Sequence, residues 1–132
     1  PSRALAVSYV HFLLFASLAA IGSGLHVAAL REEGESAISS TVAVLSVVVP
    51  ETVFVIALYA LVVAVNLRAL GRIYQLMLGL TIAALAGSVL LSLAGVPFAA
   101  CLAVIVLAPW INVAGVETVG SRDMHKRLEV DA

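Results

Sequence analysis

Glu51 lies in VVVPETVFVIAL, residues 47–58, where a proline and a carboxylic acid interrupt an apolar run long enough to cross a bilayer. A carboxyl in such a place has three chemical uses. It can stay neutral and hydrogen-bond between helices, carry protons or ions, or pair with a cation from another subunit. No Lys or Arg of this chain falls near its depth, so a cation would come from outside the chain. Burial by itself favours the neutral acid. Pro50 adds a second effect. It has no N–H to donate, and its ring displaces the carbonyl four residues back, at Ser46, which predicts a helix kink beside the acid. Pro109 predicts a second kink near the chain's far end.

His11 and His26 are the other groups with ligand chemistry inside apolar sequence. They are fifteen residues apart, roughly 22 Å along a helix, so they cannot hold one metal together. A haem or chlorophyll-type pigment on a single histidine is kept as an alternative, and no other cofactor is expected. Cys101 is the single cysteine and sits in an apolar run, so no internal disulfide can form and packing is its expected role. HExxH, GxSxG, phosphate-cradling glycine loops and paired-cysteine motifs are missing, which argues against an enzyme.

The elements that must position these groups follow from composition. Hydrophobic residues make up 63% of the chain and charged residues 11%, against about 25% charged in soluble domains. The chain is therefore read as a membrane protein. A net charge of −1 offers no basic field for nucleic acid. About 20 apolar residues cross the hydrocarbon core as a helix, and four stretches qualify: 8–30, 41–65, 73–93 and 97–116. The first lacks both a cationic leader and a small-residue cleavage site, and is read as a retained helix. Short connections make each helix antiparallel to the next. The expected fold is all-α, one domain over 1–132: four transmembrane helices in an antiparallel up-and-down bundle with a tail at 117–132.

Depth can be assigned by taking residues 30, 38, 94 and 97 as outer ends. At a rise of ~1.5 Å per residue, Glu51 lies about 20 Å inward, level with Ser17, Thr81 and the stretch Trp110 to Asn112. One intramembrane polar layer of Ser17, Glu51, Thr81, Trp110 and Asn112 is expected. Small residues recur every fourth position at Ala16, Ala20, Gly24 and Ala28, and again at Gly79, Ala83 and Gly87. Such stripes let backbones approach closely, within the bundle or against another subunit.

The opening R-A-L-A-V-S-Y-V-H-F with a following A-x-G-x-G-L resembles the start of the last membrane segments of the bacterial low temperature requirement A family. Tyr9 and His11 take the positions of its Y-x-H sequence, and Gly22 and Gly24 those of its later glycines. A long second helix, a turn bearing Arg68 and Arg72, and two alanine- and leucine-rich spans follow in similar order. The likeness covers the C-terminal part of that family, whose acidic and aromatic N-terminal signature is missing here. It implies a bacterial cytoplasmic membrane. The expected function is a noncatalytic module that packs, within the lipid bilayer, against other membrane subunits or a missing N-terminal half as scaffold or accessory element. Proton- or ion-linked transport through Glu51 is the alternative.

Arg3, Arg68, Arg72, Arg122, Lys126 and Arg127 fall on one side of this arrangement and Arg31 alone on the other. The positive-inside rule then makes both termini cytoplasmic. A cysteine placed at Ser36, in a Cys101→Ala background, should be labelled only from outside in oriented vesicles. Labelling only from the cytoplasmic side would overturn this topology.

Overall fold

The computed structural model describes residues 2–66 and 72–115. The turn at 67–71, with Arg68, and the tail read as cytoplasmic lie outside the described residues. Four helices follow one another: α1 Ser2–Glu32, α2 Ser40–Asn66, α3 Arg72–Leu93 and α4 Phe98–Leu107. A short helical segment at 110–115 continues the line of α4. No strand occurs among the described residues. Four helices are long and apolar enough to cross a membrane, the last counted as Phe98–Gly115. These features are compatible with a multi-pass membrane protein.

Helix ends follow from local chemistry. Gly34 ends α1 at a φ of 77° and Gly95 ends α3 at 81°, a conformation that costs a residue with a Cβ about 1–2 kcal/mol. At each end the glycine N–H reaches back three residues (Gly34 to Arg31, Gly95 to Ser92), and the next N–H reaches back five (Glu35 to Leu30, Val96 to Leu91). This pairing satisfies carbonyls that a finished helix leaves without donors. Ser39 caps α2 through its hydroxyl, which accepts from the Val42 N–H at 3.3 Å.

Side-chain pairs fix the course. Thr41 meets Ser92 across α2 and α3, and Val55 and Tyr59 cluster with Met77 at the opposite end of the same two helices. Arg31 reaches Ser40, and its guanidinium lies 5.0 Å from the Phe98 ring centre. The ends of α1 and α3 therefore gather with the starts of α2 and α4, and the course is up and down.

The expected closed bundle differs in one respect. The backbones of α2, α3 and α4 approach one another, whereas that of α1 approaches α2 alone, and α1 meets α4 through Arg31 on Phe98. The reason lies in the α1 surface. Val7, Val10, Leu14, Ser17, Ile21, Gly24, Ala28 and Arg31 run along its inward face, joined near the end by half-buried Val27 and Leu30, and the first set alternates three and four residues apart in the heptad rhythm of two helices packed side by side. That seam is one helix wide and takes one partner.

The four-residue stripe follows this seam only in part. A step of four residues turns about 40° beyond a full helical turn, so such a stripe winds off a straight contact face. Gly24 and Ala28 are buried against α2, while Ala16 and Ala20 are exposed beside it. On α3 the buried residues are Met77, Thr81, Leu85, Ser88 and Ser92. Gly79 and Ala83 are exposed, Gly87 is half-buried, and a Cβ at Gly79 or Gly87 would meet open space.

Gly24 marks the closest approach in the seam. A Cβ there would lie 2.7 Å from the Ser46 carbonyl carbon and 3.2 Å from the Val47 Cα. Gly24→Ala should therefore lower stability by about 1–3 kcal/mol, the usual range for overpacking. Gly79→Ala should leave stability unchanged or raise it by up to about 1 kcal/mol, through helix propensity. Denaturation in mild detergent checks the pair, and equal effects at the two glycines would contradict this packing.

Candidate functional site

Pro50 and Glu51 sit near mid-helix in α2, with Glu51 eleven residues past Ser40, about 17 Å along the axis. Helix α2 continues through Pro50 without interruption. The Ser46 carbonyl, which proline cannot serve with an N–H, packs against the bare Cα of Gly24. The Ser46 hydroxyl donates to the Ala43 carbonyl at 2.7 Å and approaches the Gly24 carbonyl at 3.3 Å. Pro109 behaves differently. Helix α4 stops at Leu107, and the backbone turns at Ala108 and Pro109. The Ala108 N–H is shared between the carbonyls of Val104 and Ile105, so the Ile105 oxygen keeps a donor where proline provides none.

Consecutive residues of a helix point about 100° apart, and Pro50 and Glu51 accordingly face different spaces. Pro50 lines an open groove on one side of the α1–α2 seam, together with Ala16, Ser17, Ala20, Ser46 and Val49. Glu51 lines a cleft on the other side, formed by Ile21 and Leu25 of α1, Phe54 and Leu58 of α2, and Leu102, Val106, Pro109 and Asn112 beyond. The residue is only 6% exposed. Among the described residues no hydrogen bond or ion pair reaches its carboxyl.

The residues expected to form one polar layer divide into separate environments. Ser17 is buried, and its hydroxyl donates to the Leu14 carbonyl of its own helix at 3.0 Å. Trp110 is 64% exposed and points away from the core. Thr81 and Asn112 come together in a directed chain: the Tyr59 hydroxyl donates to Asn112 Oδ1, Asn112 Nδ2 donates to Thr81 Oγ1 at 2.9 Å, and the Thr81 hydroxyl donates to the Met77 carbonyl at 2.9 Å. This chain ties α2, α3 and the segment after Pro109. It ends on a backbone carbonyl, which suits a structural tie.

Tyr59 was missed as a member of this group. It lies eight residues beyond Glu51, about 12 Å farther along α2, so depth counting alone assigns it to a different level. An available signal was the short supply of buried partners for the Asn112 amide, which has four hydrogen-bonding positions to satisfy.

His11 and His26 are both exposed on α1. The His11 Nδ1 lies 2.9 Å from the Val7 carbonyl, a bond that places the ring proton on Nδ1. No group of three or more His, Cys, Asp or Glu suited to a metal occurs among the described residues. Cys101 is fully buried, packed in the core with Val44, Val47, Leu85 and Ile105.

A double-mutant cycle of Tyr59→Phe and Asn112→Ala should give a coupling energy of about 0.6–1.7 kcal/mol, the range for hydrogen bonds between membrane helices. Ser17→Ala should be near neutral, because its hydroxyl serves only its own helix. Chemical denaturation in detergent provides both values, and zero coupling would remove the tie. Compared with known protein families, with curated proteins and with solved structures, the chain matches none.

Proposed function

We propose that this chain is a noncatalytic multi-pass module of a bacterial cytoplasmic membrane, with both termini cytoplasmic, that packs against other membrane helices as a scaffold or accessory element. The observation that carries this reading is the stripe of exposed Gly79 and Ala83 with half-buried Gly87, where a Cβ at either glycine would meet open space among the described residues. In lipid, helices associate through close van der Waals approach and not through hydrophobicity, so an uncovered small-residue stripe is the surface where a further helix packs best. The one-sided seating of α1 supports the same reading, because its large side chains Tyr9, Phe12 and Phe15 are exposed. The likeness of the first span to the low temperature requirement A family belongs to this proposal, with Tyr9 and His11 as its bearers.

The gently solubilised particle should contain other membrane subunits, identified by mass spectrometry. Gly79→Leu and Ala83→Leu should each release the chain from that particle while leaving its own thermal transition unchanged. A parent protein that is monomeric under the same conditions would contradict the proposal.

A further inference from the structure

The cleft beside Glu51 has a volume of about 400 Å³, within the roughly 300–1,000 Å³ of small-molecule sites. Its rim residues Leu25 and Val106 are 44% and 59% exposed. Because the α1 and α4 backbones stay apart and the two helices meet where Arg31 lies over Phe98, the cleft opens sideways between them, toward the surface that lipid would cover. Its walls are apolar apart from two side chains, Glu51 and Asn112. The Asn112 carbonyl already accepts from Tyr59, and its amide already donates to Thr81. Glu51 is left as a buried carboxyl aimed into an apolar space with nothing to bind it.

That combination specifies an occupant. An acyl chain would fill the volume but leave the carboxyl bare, which is costly in a low-dielectric site. An anion would be repelled by the carboxylate, and a neutral acceptor would bond only the protonated acid, without the charge-assisted strength a cation gains. A second copy of the chain would bring no Lys or Arg at this depth. A cationic nitrogen on an apolar body satisfies both parts of the cleft, since an N–H donor to a carboxylate forms the stronger, charge-assisted class of hydrogen bond. The Phe54 ring in the wall offers a further contact to the cation. We propose that the cleft between α1 and α4 binds a lipophilic ammonium, with its apolar body against Ile21, Leu25, Leu102 and Val106 and its protonated amine on Glu51. This site is independent of the scaffold role, and its failure would leave that role untouched.

The probe is dansylcadaverine, an apolar fluorophore and pentyl chain ending in an ammonium, titrated into the intact protein in phosphatidylcholine nanodiscs with empty nanodiscs as the blank. Saturable binding of one probe per chain is expected. Glu51→Gln should weaken it at least tenfold. Val106→Trp keeps the carboxyl but places an indole at the rim, and should weaken it comparably. The same dansyl-pentyl compound without the amine should bind weakly and equally to parent and Glu51→Gln protein. Four outcomes would overturn the proposal: no saturable binding, equal amine affinity in parent and Glu51→Gln protein, equal affinity of the parent for the amine and its neutral counterpart, or full affinity in Val106→Trp. Should Glu51→Gln lose its thermal transition, the Val106→Trp titration and the neutral counterpart decide the matter.

Discussion

Pro50 removes one backbone donor from the middle of a long apolar helix, and the way this is accommodated organises the molecule. In hydrocarbon every carbonyl without a donor is expensive, so freed oxygens must lie against protein. The Ser46 carbonyl is turned toward α1 where Gly24 has no side chain. Glycine thus allows the two backbones to meet at the point where α2 has lost a hydrogen bond. The Ser46 hydroxyl bridges toward the Gly24 carbonyl at the same crossing. This contact seats α1 on α2, and the heptad seam from Val7 to Arg31 carries the pairing along the helix.

The rest of the arrangement follows from that seat. Because α1 is committed to α2 through a narrow seam, its backbone does not approach α4, and the space between them becomes the cleft that Glu51 lines. Pro50 and Glu51 are neighbours with separate consequences, one on each side of the seam. At the other end of α2, Tyr59, Asn112 and Thr81 hold α2, α3 and the segment after Pro109 together. Arg31 closes the end near the start of α2, with its guanidinium over Phe98 and hydrogen bonds to Glu32 and Ser40. Glu51, the acid in the middle of α2, is therefore excluded from both polar clusters.

The four spans were legible in the sequence because length and apolarity alone determine them. With the segment at 110–115 counted in the fourth span, their ends differ by a few residues, most at α1, which begins at Ser2 instead of residue 8. Apolarity marks where lipid begins, whereas R-A-L-A-V contains nothing to stop a helix. The packing was far less legible. A helix in lipid is apolar on every side, so hydrophobic periodicity does not indicate its buried face. Small residues located the crossing at Gly24 and Ala28, but could not reveal that Gly79, Ala83 and Gly87 face outward. Depth counting set Thr81 and Asn112 correctly side by side. It also grouped them with Glu51 and Ser17, because it ignores rotation about each helix and the turn at Pro109. Of the two prolines, only the one whose carbonyl partner had no glycine opposite it interrupts its helix.

The membrane reading predicts that the apolar cleft Glu51 lines opens to lipid and not to water. Carbodiimide labelling of the membrane-embedded protein, read by peptide mass mapping, tests it most directly. Dicyclohexylcarbodiimide, which partitions into lipid, should modify Glu51, while a water-soluble carbodiimide should modify only acids outside the spans, such as Glu32, Glu33 and Glu35. Modification of Glu51 by the water-soluble reagent, or its resistance to the lipid-soluble one, would contradict the account.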